Sequence, residues 1–507
     1  MGSQPSKTAP VDSPNEKALL ERLRSFQVTD DESVNTGTSS GENEKGQVTL
    51  SREPEGLSVH LTQSWQSRFL ADPKNKLALT ALSTADPRAV LTSTPTALAD
   101  PHIFNVKIPF EGAPITNQRS SGRCWLFAST NTFRVALMKR YNLDAFELSQ
   151  SYLFFWDKLE KSNYFLEQVI DTAREDLDGR LVQALLGDIV SDGGQWDMVY
   201  NLVQKYGLVP QALYPDSWNA QNSGVLNSIV RTKLREYALI LRHEVRSAEA
   251  TAQTISATKE RMVRDILSIL TLTLGPPPNP RDDFTWTYLD KHGKAHELTS
   301  TPAAFARDIY SPDFRLTSSV IDGMVSLVHD PRHDPLTLLT VDRLGNIVGG
   351  RGVTYVNVDM AALKAACVAM LKAGLPVFFG SDVGKFSDRQ QGIMDLDIVD
   401  YELGFGVSTL GMDKASRLRT GESAMTHAMV LTAVHLDADG KSVRWRVQNS
   451  WGEAVGEKGW FVMSDAWMDE FVYQAVVDPR FLSKEVRAVI GTEPTVLPLW
   501  DPMGSLA

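Results

Sequence analysis

Only two of the 507 residues are cysteine, Cys124 and Cys367. They lie far apart in unlike contexts, which excludes a disulfide framework and points to a reduced compartment. No apolar run reaches the length of a membrane span, and no signal-peptide core opens the chain. Positive charge is also short: 51 Lys and Arg stand against 62 Asp and Glu, net −11, with no long basic run. That balance disfavours nucleic acid as a partner and leaves only a local basic lining as a route to it. Metal-ligand patterns are missing as well. His329, Asp330, His333 and Asp334 cluster, but Pro331 and Pro335 break any helix that would set both histidines on one face. They read as a polar loop. Gly349, Gly350 and Gly352 lack the Lys-Ser/Thr of a phosphate loop. No metal and no organic cofactor is expected.

What the chain does have is the stretch PITNQRSSGRCWLFASTNTFR, Pro114 to Arg134. Ser120, Ser121 and Gly122 suit a turn and a helix cap, and Trp125 to Tyr141 reads as a mostly buried helix without Gly or Pro. A cysteine in the first turn of such a helix meets the positive end of its dipole, where backbone N–H groups favour the thiolate nucleophile. Gln118 is a candidate amide donor to an oxyanion beside that sulfur. The competing reading of Cys124 is a buried structural thiol. Cys367 shares an apolar helical face with Leu363, Ala366, Met370 and Leu371 and is assigned to the core.

Two later stretches bear on Cys124. His427 sits in AMTHAMVLTAVH, where Met425, His427 and Met429 fall on one face of an expected strand. Asn449 follows VRWRVQ, where Val443, Trp445 and Val447 alternate with polar residues before Asn-Ser-Trp-Gly closes the strand. A thiol nucleophile needs a base and a group that orients the base, and Asn can orient without adding charge.

QRSSGRCW, THAM and QNSWG, in that order, resemble the papain-like cysteine peptidases, and more closely their bleomycin hydrolase branch. ELSQSYLFFWDKLEKSNYFLEQ, DGGQWDM, KYGLVP, STPAAFA, DRLGNIVGG and LPLWDPMGSLA extend the likeness over roughly residues 60 to 507. The resemblance implies Cys124 as nucleophile, His427 as base and acid, Asn449 as orienter and Gln118 as oxyanion donor. Ser121 stands where secreted members carry a disulfide cysteine.

The implied fold is α+β: a papain-like two-lobed fold, with a helical lobe, a β-barrel-like lobe, a large inserted helical or hook region, and a C-terminal arm in the cleft. The expected divisions are residues 1–58, a disordered extension with one short helical pattern, Ala18 to Phe26; 59–245, the helical lobe; 246–345, the insertion; 346–485, the β-rich lobe; and 486–507, the arm. By analogy with a substrate-binding Gly-Gly, Gly193 and Gly194 are candidates to meet substrate backbone; otherwise they are a turn before a helix. Ala507 is the expected anchor, its carboxylate holding the free amine of a substrate.

The resemblance therefore implies a cysteine aminopeptidase acting on short peptides with a free N-terminus, self-associated as a homohexameric ring. Homocysteine-thiolactone hydrolysis is a family association, and a nucleic-acid-binding ring protein is the alternative. The expected location is cytoplasmic, with a mitochondrial pool left open. Glu16, Glu21, Asp30, Asp31 and Glu32 argue against a transit peptide. Met1-Gly2-Ser3-Gln4-Pro5-Ser6 fits the N-myristoylation pattern, making Gly2 a candidate for acylation and weak membrane association; the other reading is a chance match to a short motif.

Overall fold

A buried helix, α1 (Cys124–Arg140), carries fifteen buried residues in succession, Cys124 through Met138. It has no amphipathic stripe because it is enclosed on all sides, and four of its polar side chains find partners nearby. Ser129, Thr130 and Thr132 return their hydroxyls to carbonyls one turn back at 2.7, 2.7 and 3.0 Å, and the Asn131 amide donates to the Thr116 hydroxyl at 3.0 Å. The expected side-chain cap is absent: Arg123 is the N-cap and its side chain does not bond the helix.

The structure, a computed structural model, describes residues 56–307 and 323–506. The 18–26 helical pattern, Gly2 and Ala507 lie outside the described residues. The chain falls into two units, one running to Thr92 together with Asp400–Asp413, the other containing everything else. In the first, helices Val59–Ala71 and Pro73–Leu82 are capped by Ser58 and Asp72, and Leu91 fills the space beside Gly404, where a Cβ would meet it at 2.5 Å.

In the second unit, α2 (Gln150–Asp171), α3 (Trp196–Tyr206), α4 (Gly224–Arg246) and α5 (Ala252–Leu274) gather on the helical side. The α5 helix starts at Ala252, where Thr251 and Thr254 form a reciprocal capping box. The hairpin β2–β3 (Phe284–Leu289, Ala295–Ser300) stands apart. The remaining described strands form one mixed sheet: β1 (Val106–Lys107), β4 (Val325–Val328), β5 (Thr337–Val341), β6 (Thr354–Asn357), β7 (Val377–Ser381), β8 (Ser387–Asp388), β9 (Ile393–Met394), β10 (His427–Leu436), β11 (Ser442–Gln448), β12 (Trp460–Ser464), β13 (Val472–Val477) and β14 (Thr495–Leu497). Their order is β14-β5-β6-β4-β13-β7-β10-β11-β12-β9-β8, with β1 on β10. Strands β4 and β5 come from the segment read as inserted. Helix α6 (Met360–Lys372), capped by Asp359, packs on this sheet and buries Cys367.

Strand β10 is buried on both faces, begins at His427, and leaves Met425 ahead of it. It pairs antiparallel with β7 and β11 and packs against α1. The start of the buried helix and the start of the buried strand thus meet. The C-terminal segment is not a free arm: β14 runs parallel to β5 at the sheet edge, and a single turn, Pro502–Gly504, follows.

Candidate active site

Cys124, His427, Asn449 and Gln118 are all buried. Cys124 is the first residue of α1, and N–H groups of Ala428, Trp125 and Cys124 itself act on its sulfur. Burial nevertheless dominates and raises the thiol to about 11, with the Asp192 charge adding to the rise and those N–H groups pulling against it. The thiolate preference expected from the helix dipole is therefore outweighed by desolvation.

His427 donates from Nε2 to Asn449 Oδ1 at 2.9 Å. The same oxygen accepts the Ser450 N–H at 2.8 Å, which fixes it as the acceptor end of the amide. With Nε2 so engaged, Nδ1 is the nitrogen left to exchange a proton. Burial lowers the imidazole to about 4, against the Asn449 bond and together with the Arg389 charge. The Trp451 ring covers the imidazole, centroids 4.8 Å apart and tilted by 31°, and the Arg389 guanidinium lies 4.7 Å from the Trp451 centroid.

Gln118 is clamped at both ends. Its Oε1 accepts the Ser450 hydroxyl at 2.7 Å, and its Nε2 donates one hydrogen to Ser121 O at 2.6 Å, leaving the second for another acceptor. Backbone bonds from Gln118 N to Ser450 O (2.8 Å) and from Gly452 N to Thr116 O (3.0 Å) stitch the two loops together. Gly452 has φ +77°, and a Cβ there would lie 2.4 Å from the Asn117 amide nitrogen, so glycine is required. Ser121 donates its hydroxyl to Gln118 O and accepts from Arg123, whose guanidinium grips Asp216 at 2.9 and 2.8 Å.

Beside this lies a buried network that the sequence patterns did not reveal. Asp192 accepts from Gly122 N (3.0 Å), Ser223 (2.5 Å) and Asn227 (2.8 Å) and pairs with Lys158 at 2.6 Å. Burial would raise this carboxyl, but Lys158 and the hydrogen bonds hold it well below the usual carboxylate range. The signal was present in FFWDKLEKS, where Lys158 and Lys161 interrupt an aromatic helix face. Lys161 donates to Gly193 O at 2.5 Å. Gly194 packs so tightly on Trp125 that a Cβ would come within 2.5 Å of its ring, a packing reason for glycine at this position.

The C-terminal segment reaches the same place. Ser505 O accepts from Gln195 Nε2 at 2.8 Å, and Ser505 Oγ donates to Met425 O at 2.7 Å. Gln195 follows the Gly-Gly pair, and Met425 lies two residues before His427. Upstream, Arg332 holds Asp501 through both carboxylate oxygens at 2.7 and 3.2 Å, and Arg180 sits 4.1 Å from the Trp500 centroid. Among the described residues no group of three or more His, Cys, Asp and Glu is arranged to hold a metal, and no helix is long and apolar enough to cross a membrane.

Residues 56–504 match the Peptidase C1-like family. The bleomycin hydrolase of Homo sapiens is 43% identical over 459 residues, 89% of this chain and 99% of the relative. Cysteine proteinase 1, mitochondrial, of Saccharomyces cerevisiae is 43% identical over 470 residues, 91% and 95% of the two chains. The crystal structure of PepW from Lactobacillus rhamnosis superposes with a TM-score of 0.84 at 41% identity, covering 89% of this chain and 99% of that one. With a helix-borne cysteine set beside a strand-borne histidine on this fold, the chain belongs to the Peptidase C1-like family and is a papain-like cysteine peptidase.

Proposed function

We propose that this peptidase removes residues from the free N-termini of short peptides and related amides. Ser505 is the observation that carries the reading: the C-terminal segment is fastened there to Gln195, next to the Gly-Gly pair, and to Met425, two residues before His427, a position from which it shortens the cleft. An extended substrate meets that segment and can place only its own first residue ahead of Cys124. The chain's terminal carboxylate, at Ala507, pairs with the substrate ammonium in a partly desolvated cleft.

The chemistry divides among the four buried side chains. The Cys124 thiol gives its proton to Nδ1 of His427 as sulfur attacks the scissile carbonyl carbon. Asn449 keeps Nε2 engaged and so presents Nδ1. The tetrahedral oxyanion accepts from the free Gln118 Nε2 hydrogen and the Cys124 N–H. His427 then protonates the departing amine, leaving a thioester on Cys124, and water, deprotonated by His427, hydrolyses it. Gly193 and Gly194 hydrogen-bond the extended substrate through their backbone. A homohexameric ring and a cytoplasmic location, implied by the resemblance, belong to the same reading.

Cleavage of one short peptide with a free or an acetylated N-terminus tests this, using intact protein and a form lacking Ser505 to Ala507. Intact protein is expected to cut only the free peptide, and the shortened form to gain cleavage of the blocked one. Equal cleavage of both peptides by both forms rejects the anchor.

A further inference from the structure

A polar cavity of about 580 Å³ opens beside the site, and Asn117, Arg119, Asn222, Arg389 and Trp451 line it. Two of these residues flank Gln118 in sequence, and Trp451 covers the His427 ring. Both arginines are exposed. Neither guanidinium makes an ion pair or side-chain hydrogen bond with a described residue; Arg389 lies only against the Trp451 face. Asp216 feels the charge of Arg119 but commits both carboxylate oxygens to Arg123. The Arg119 backbone is held in place: φ is 56°, its N–H donates to Asn117 Oδ1 at 2.9 Å, and the next N–H donates to Gln221 O at 2.9 Å. Two uncommitted, planar, five-donor groups therefore face one wet pocket whose other lining is amides, a hydroxyl and an indole.

The pocket's position gives it a role. The C-terminal segment enters by way of Gln195 and Met425, and none of its residues lines this cavity. A peptide whose amine meets that segment and whose carbonyl lies at Cys124 must send its remaining residues over Trp451, past Gln118. Resting on the aminopeptidase reading, we infer that Arg119 and Arg389 form a carboxylate-binding subsite for the leaving part of the substrate. It favours peptides that carry a negative charge just beyond the scissile bond. That charge is either the terminal carboxylate of a dipeptide or tripeptide, or an acidic side chain; both present the two-oxygen fork that guanidinium recognises. Exposure to solvent keeps the effect modest and salt-dependent.

The test compares kcat/KM for four free-amine substrates: Ala-Ala as the acid, Ala-Ala amide, Ala-Asp amide and Ala-Asn amide. Wild type is expected to prefer Ala-Ala acid over its amide by roughly fivefold to tenfold at low salt, with the preference shrinking in 0.5 M salt to about twofold. The ratio for Ala-Asp amide over Ala-Asn amide separates side-chain from terminal carboxylate. In R119Q, R389Q and the double variant, each ratio is taken within one protein, so a change in overall activity cancels; the double variant is expected to bring both ratios to about one. Wild type that ignores the charge, or a preference that persists in the double variant, overturns the inference. An acetylated dipeptide run alongside isolates failure of the aminopeptidase reading, because its cleavage would contradict the amine anchor and leave the acid-to-amide ratio intact.

Discussion

Asn449 Oδ1 accepts two hydrogen bonds at once, from His427 Nε2 at 2.9 Å and from the Ser450 N–H at 2.8 Å. The ring is thereby oriented by an amide that is itself fixed by the backbone, and Ser450 passes the constraint to Gln118 through its hydroxyl at 2.7 Å.

Asn449→Ala breaks that relay. With the imidazole free to rotate, kcat is expected to fall about 100-fold, the scale of misplaced acid–base catalysis, while KM changes little. Steady-state kinetics checks this; an unchanged kcat would mean that the Trp451 ring alone holds His427.

Acid stability carries the mark of His427. Its folded-state value, about 4, lies below the ordinary 6.5. Between those values the unfolded chain binds the extra proton, so this contribution is complete above pH 6.5 and is lost as pH falls toward 4. The full swing is worth about 3 kcal/mol. Denaturant unfolding at pH 7 and pH 4.5 is expected to show a smaller loss for His427→Gln than for wild type, because the glutamine cannot titrate.

Lys158 and Asp192 form a buried pair at 2.6 Å, and Asp192 also receives Gly122, Ser223 and Asn227. Asp192→Ala leaves a buried ammonium and three donors without their acceptor. A loss of about 3–5 kcal/mol in chemical denaturation is expected. A loss below 1 kcal/mol would show that Lys158 finds solvent when its partner goes.

Gly194→Ala tests a narrower point. A Cβ 2.5 Å from the Trp125 ring forces either the indole or the 192–195 segment to move, at a cost of roughly 1–3 kcal/mol. The indole N–H bond to Asp192 O, 2.6 Å, is strained by the same movement. Thermal unfolding reads the cost; an undiminished Tm would remove the packing reason for glycine here.

The candidate site was readable in the sequence to the extent that it is written in contiguous motifs. QRSSGRCW, THAM and QNSWG each hold a side chain whose type matches a chemical need, and the structure brings Gln118, Cys124, His427 and Asn449 together. The bonds that hold them were not readable. The pairing of residues 116–118 with 450–452 joins segments with no common local pattern, and the Asp192–Lys158 pair depends on burial that helix periodicity does not report. Met425, His427 and Met429 were read as one face of a strand, whereas β10 starts at His427, leaves Met425 ahead of it, and is buried along nearly its whole length with α1 and α6 packed against it. The dipole argument for Cys124 located the helix start correctly but left out desolvation, which is the larger effect on the thiol. The C-terminal arm was expected from the resemblance, whereas its edge pairing to β5 is a long-range property.

The most direct measurement uses the two cysteines against each other. Both are buried, Cys367 in the middle of α6 and Cys124 as the first residue of α1. A peptidyl chloromethyl ketone with a free amine, added in limiting amounts, is expected to alkylate Cys124 alone and to abolish peptidase activity in proportion to the label, as read by peptide mass spectrometry. Label on Cys367, or full activity in protein fully modified at Cys124, would contradict Cys124 as the nucleophile.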